Sequence, residues 1–185
     1  MQPALVIVDA INDFMHPDGA LYCGDHVQPV ISFIKDVAGR TTRVLTETKV
    51  IFMNDCHDPD DPEFDKFGKH GEVDTWGAEI IKELVPLKVS SRVSVHGKRT
   101  YSAAYQTPLI AMLQRNNVES VFLLGGCTHI CIMLTAWDLI RARFKVYIYE
   151  QGVVDFDQQK GDFALALMED VMGVTIIRRK ASLIF

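Results

Sequence analysis

Cys131 stands in the run GGCTHICIMLTAWD (125–138), where two glycines precede Thr128, a residue type that caps helices, and apolar residues then recur at helical spacing. A cysteine in the first turn of such a helix meets unpaired backbone N–H groups and the positive end of the helix dipole, and both favour a thiolate. The same N–H groups could hold the oxyanion that forms when a thiolate attacks a carbonyl. A free cysteine is equally at home as a small buried hydrophobe, so position alone does not choose. Asp9 closes the apolar run ALVIVD (4–9). An acid there is costly unless it is paired or used in chemistry. Bracing a loop is the other ordinary role, and Asp13 in the NDF segment (12–14) suits it better. Lys98, in HGKRTYSAAY (96–105), would by itself read as a surface lysine. A second group lies in NDCHDPDDPEFDKFGKHGE (54–72), which carries Asp55, His57 and His70. A carboxylate with two imidazoles suits divalent Zn, Fe or Mn, although such residues are also common in solvated loops.

The elements that must position these residues alternate. Short β-branched runs at 4–10, 50–55, 120–126, 145–151 and 174–178, with a weaker one near 93–97, predict strands. Helical patterns fall between them at about 27–43, 76–85, 104–116, 128–143 and 158–172. This alternation predicts an α/β domain, a parallel sheet covered by helices on both faces, over 1–185. In such sheets ligands sit beyond the carboxyl ends of the strands, which selects Asp9, Asp55, His57 and the Gly125–Cys127 turn as neighbours. The stretch from His57 to Asp74 breaks the rhythm, and a loop of that length is usually functional.

The chain of 185 residues is 48% hydrophobic and 23% charged with a net charge of -5, a globular composition with no basic stripe for nucleic acid or anionic lipid. No apolar run approaches the roughly 20 residues that span a bilayer. The start, MQPALVIVDA, lacks the basic opening and cleavage site of a signal peptide, so a cytoplasmic protein without membrane or nucleic-acid partners is expected. The four cysteines, with 127 and 131 spaced CxxxC, match neither a redox CxxC nor a zinc finger. The tail RRKASLIF (178–185) mixes basic and apolar residues, as a segment packing on a neighbouring subunit would.

VIVDAINDF, KRTYSAAY and GGCTHICIMLTAWD together resemble the three motifs of the isochorismatase-like cysteine hydrolases, the superfamily that includes nicotinamidase. The resemblance runs from about residue 4 to 178. It implies a three-layer α/β/α sandwich with a mainly parallel six-stranded sheet of Rossmann-like topology, and a catalytic triad of Asp9, Lys98 and Cys131. It further implies a cis peptide at Gly126–Cys127 and an oxyanion hole from the backbone N–H groups of Cys127 and Cys131. Asp55, His57 and His70 match the divalent-metal ligands of nicotinamidases, with Glu63 as a further acidic ligand. In that branch the metal, Zn foremost and Fe or Mn otherwise, accepts the pyridine nitrogen of a small amide substrate. Phe14 and Tyr101, inside the motifs, and Trp76 are the candidates to hold a flat ring. Ile11 departs from the family, which often has Gln there. Members are commonly dimers or tetramers, so a homo-oligomer is expected.

The resemblance leaves substrate open. Other branches act on N-carbamoyl, ureido or biuret-type compounds, and a carboxylate substrate would want a cation such as Arg99, Lys66 or Lys69 in the pocket. A non-catalytic metal-binding α/β protein is the reading from another class. It explains Asp55, His57 and His70 but not Cys131 with Asp9 and Lys98, and no glycine-rich nucleotide motif follows the first strand.

Overall fold

The computed structural model describes residues 2–44 and 48–178. Six strands form one sheet: β1 (Gln2–Val8), β2 (Lys49–Asp55), β3 (Val93–Lys98), β4 (Val118–Gly126), β5 (Lys145–Val154) and β6 (Thr175–Ile177). Their order is β3-β2-β1-β4-β5-β6, and all five pairings are parallel. The expected sheet is therefore wholly rather than mainly parallel. The order reverses between β1 and β4, which opens a crevice at their carboxyl ends.

The α-helices are α1 (Asn12–Met15), α2 (Val27–Val44), α3 (Phe64–Phe67), α4 (Leu109–Arg115), α5 (Met133–Arg141) and α6 (Gln158–Leu167). Each central strand divides its side chains between two cores by the period of two. Leu5, Ile7, Phe52, Phe122 and Leu124 pack with α2 on one face. Val6, Val8, Met53, Val121 and Leu123 pack with α4, α5 and α6 on the other. No helix among the described residues is long and apolar enough to cross a membrane. Residues 179–185, most of the expected subunit-packing tail, lie outside the described residues.

Two predicted helices change. The pattern over 76–85 gives two short 3-10 turns, Trp76–Ala78 and Val85–Val89, because its backbone bonds elsewhere. Asn12 N–H donates to the Glu79 carbonyl at 2.9 Å and Ile81 N–H to the Ala10 carbonyl at 3.0 Å, so 79–81 docks as an extended piece beside β1's exit. Ile11 is fully buried in that contact, bridged to Ile80. The helix expected from 104 begins only at Leu109, directly after Pro108.

Candidate active site

Asp9, Asp55 and Lys98 lie at or just past the ends of β1, β2 and β3, and Cys131 follows the end of β4. Asp55 and Lys98 are register partners. Asp9 sits in the left-handed region at φ 52°, which turns its side chain back under the neighbouring strand ends. Its Oδ1 accepts the Asp55 N–H at 2.8 Å. The turn is possible because Gly125 leaves room: a Cβ there would lie 1.8 Å from the Val8 carbonyl oxygen.

Lys98 Nζ is the hub. It lies 2.9 Å from Asp9 Oδ2, 2.5 Å from Asp55 Oδ1 and 3.7 Å from Cys131 Sγ, and it donates to the Thr100 carbonyl at 3.1 Å. It is 1% exposed, and a lysine so buried persists only when paired. Burial works against its charge, but the Asp55 and Asp9 carboxylates hold its pKa well above the ordinary lysine value. Burial, with Asp55 beside it, pushes Asp9 up to about 7 against the pull of Lys98. Burial would raise Asp55 too, yet Lys98 and His57 hold it at about 2. Burial also keeps the Cys131 thiol well above its usual value. Desolvation thus works against the pull toward a thiolate that Lys98 and the helix terminus exert on this sulfur.

The turn that carries Cys131 is also not the one expected. Thr128–Ile132 forms a single wide π-type turn ahead of α5. Thr128 does not cap it, because its hydroxyl donates to the Val154 carbonyl at 3.0 Å. The Cys127 carbonyl accepts from Ile130 and Ile132 at 3.2 and 3.1 Å, bypassing the N–H of Cys131 between them. The Gly126–Cys127 peptide bond is cis.

Asp55 joins this cluster to a second. The donor atoms of Asp55, His57 and His70 all lie within 4.8 Å of one another, and all three residues are buried. His57 Nε2 is 3.3 Å from Asp55 Oδ1, and His70 Nε2 is 3.9 Å from Asp55 Oδ2 and 3.5 Å from Glu63 Oε1. The outer ring nitrogens are held by Asp61 Oδ2 at 3.0 Å from His57 Nδ1 and by the Gly68 carbonyl at 2.8 Å from His70 Nδ1. The buried His57 Nε2 makes no well-aligned hydrogen bond among the described residues, its Asp55 contact at 3.3 Å being an ion-pair approach only. An orphaned imidazole nitrogen, a second imidazole and a carboxylate facing one point are a donor set that fits a divalent cation. Asp13 braces this loop as expected, accepting from Ala20 N–H at 3.0 Å and Gly71 N–H at 2.8 Å.

A narrow pocket leads to Cys131, with Asp55 and His70 on one side and the rings of Phe14, Phe67, Tyr101 and Phe156 around it. Trp76, expected to hold a ring, does not line it. Its side chain is 47% exposed and meets His16 edge-on, because the unwound 76–78 turn lies on the outer side of α1. The cations considered for a carboxylate also lie elsewhere: Arg99 pairs with Asp58 at 2.7 Å and Lys69 with Glu72 at 3.0 Å, both on the surface, and Lys66 does not line the pocket. Sequence reasoning missed Asp61, which stands four residues after His57 in the same loop, and Phe156 and Asp155, which follow β5. It also missed the direct contact of Asp55 with Lys98, which depends on strand register.

Comparison with known proteins agrees with this fold. Residues 3–180 match the isochorismatase domain family. The crystal structure of nicotinamidase PncA from Bacillus subtilis superposes with a TM-score of 0.90 at 30% identity, over 96% of this chain and 100% of that one. The N-carbamoylsarcosine amidase from Thermoplasma acidophilum gives a TM-score of 0.85 at 31% identity, over 98% of each chain. The ureidoacrylate amidohydrolase RutB of Cronobacter sakazakii is 28% identical over 161 residues, 74% of this chain and 68% of that protein. With all but its extreme ends matched, the chain belongs to the isochorismatase domain family.

Proposed function

We propose that this isochorismatase-family amidohydrolase hydrolyses nicotinamide to nicotinate and ammonia through a thioester on Cys131. The observation that carries the choice of substrate is the pocket: its walls are aromatic, and its charged lining residues, Asp55 and Glu63, are acidic beside one uncharged-or-cationic imidazole, His70. Lys98 is committed to two carboxylates. Such a slot suits a flat neutral amide better than N-carbamoylsarcosine or ureidoacrylate, which each bring a carboxylate.

Asp9 takes the Cys131 proton as the sulfur attacks the amide carbon, since a carboxylate poised near 7 is a competent base for a thiol whose ionisation burial opposes. Lys98 offsets the charge on Asp9 and on the developing thiolate. The backbone N–H groups of Cys127 and Cys131 receive the oxyanion. The C–N bond then breaks as Asp9 returns its proton to the leaving nitrogen. Water, deprotonated by Asp9, opens the thioester and frees the acid and the thiol. Asp55, His57 and His70, with Glu63 adjacent, would hold a divalent ion whose role when bound is to accept a ring nitrogen and fix the substrate's orientation. The four free cysteines suit the reducing cytoplasm.

Ammonia release from nicotinamide, N-carbamoylsarcosine and ureidoacrylate by the purified protein tests the reading. We expect kcat/KM for nicotinamide to exceed the others by at least about 10²-fold. A reversed order would hand the site to the carbamoyl and ureido branch.

A further inference from the structure

Asp155 follows β5 directly and is 4% exposed. Its carboxylate is fully engaged. Oδ2 accepts the backbone N–H of His129 at 2.8 Å and lies 2.6 Å from His129 Nδ1, while Oδ1 accepts the Asp157 N–H at 3.0 Å. The Asp155 carbonyl bonds His26 Nε2 at 2.7 Å. One buried residue thus ties together the turn that carries Cys131, the loop before α2 and the start of α6. The packing there is close: a Cβ at Gly161 of α6 would lie 3.0 Å from Asp155 Cβ.

The turn needs an external partner. It is wide, Cys127 gives it no side-chain cap and the hydroxyl of Thr128 is spent on Val154. The N–H of His129 belongs to the first turn, where no helical carbonyl can receive it. Asp155 receives it, and by taking the ring nitrogen too it fixes the side chain two residues before the nucleophile. The His129 ring then meets Phe156 edge-on at 5.3 Å, and Phe156 lines the pocket opposite Phe67 at 6.4 Å.

We propose that Asp155 is a positioning residue for the hydrolysis: acting through His129, it fixes the turn that aims Cys131 and seats Phe156 at the pocket wall. This rests on the reading of Cys131 as nucleophile. A displacement of about 1 Å at an attacking atom can cost about 10²-fold in rate, so the clamp should show in turnover rather than in binding.

The test compares Asp155→Ala and Asp155→Asn with the parent chain, well below the melting temperature of each. Nicotinamide turnover is measured alongside the rate at which iodoacetamide alkylates Cys131, followed by peptide mass mapping. We expect Asp155→Ala to lower kcat about 10- to 100-fold with KM within about threefold, and to change the alkylation rate at Cys131. Asp155→Asn keeps an oxygen for the His129 N–H and should recover most of both. An Asp155→Ala protein with kcat and alkylation within about twofold of the parent overturns the proposal, as does a loss that only tracks the unfolded fraction and is not rescued by Asn. Should Asp155→Ala not fold, His129→Ala decides: it keeps the N–H bond but loses the ring contact, and unchanged kcat there overturns the clamp. If the parent chain releases no ammonia from nicotinamide, the substrate reading fails, while the alkylation rates still judge Asp155.

Discussion

At the scale of single residues, the balance of charge around one sulfur decides the chemistry. In the proposed reaction Cys131 has no substitute as the attacking atom, and its side chain is small and part of one buried core. Cys131→Ala should therefore cost about 10³-fold or more in kcat while moving the melting temperature by only a few degrees, read by calorimetry beside turnover. As the proposed base, Asp9 would carry the pH dependence. With its pKa at about 7, it holds a proton below neutrality and cannot accept one from the thiol. The acid limb of kcat/KM should thus fall as pH drops through about 7, and a flat profile from pH 5 to 9 would count against Asp9 as base. Stability moves the other way. The folded pKa lies above the ordinary 3.8, so the neutral form is the one that folding favours. That contribution is fully present below about pH 4 and is lost as pH rises through about 7. In metal-free protein, Asp9→Asn should therefore abolish turnover yet melt no lower than the parent at pH 8, with the gap between them closing toward pH 5. A variant that melts well below the parent at pH 8 would show that the Lys98 pair outweighs the desolvation.

At the scale of elements, what was legible in the sequence is what depends on local pattern. The six strands and the helix that follows Cys131 come from β-branched runs and helical spacing, and all lie within a few residues of their predicted places. Asp9 and Asp55 were findable because an acid that ends an apolar run must have a partner. The contacts that complete the site were not, because they rest on register and on which carbonyl a loop happens to meet. Residues 76–85 carry a helical pattern, but their backbone bonds went to residues 10–12, and Trp76 went outward with them. Asp61 illustrates the same limit: its position four residues after His57 is visible, but its bond to Nδ1 exists only once the loop is folded. With Nδ1–H as the donor, that bond would hold the ring with Nε2 facing Asp55 and His70. Asp61→Ala should therefore weaken divalent-metal affinity about 10- to 100-fold by titration calorimetry, with the fold retained. Unchanged affinity would mean that the loop alone orients the ring.

At the scale of the whole molecule, the site is a joint between parts of the fold that share little else. β1, β3 and the turn after β4 bring together Asp9, Lys98 and Cys131, and the loop from His57 to His70 closes over β2's end through Asp55. A ligand held by Asp55, His57 and His70 would therefore bridge the central sheet and the long loop, and any ligand that binds only the folded chain adds its binding free energy to stability. At about 10³ times its dissociation constant, an ion contributes about 4 kcal/mol. For a domain of this size that is roughly 8–16 °C in melting temperature. Removing divalent ions with a chelator should lower the melting temperature by that order, and returning Zn, Mn or Fe(II) should restore it. His70→Ala, which breaks the donor set on the loop side, should melt near the chelated parent and respond little to added metal. If chelation leaves the parent unmoved while His70→Ala alone is destabilised, these three residues brace the loop and bind no ion, and ring orientation must come from the aromatic walls alone.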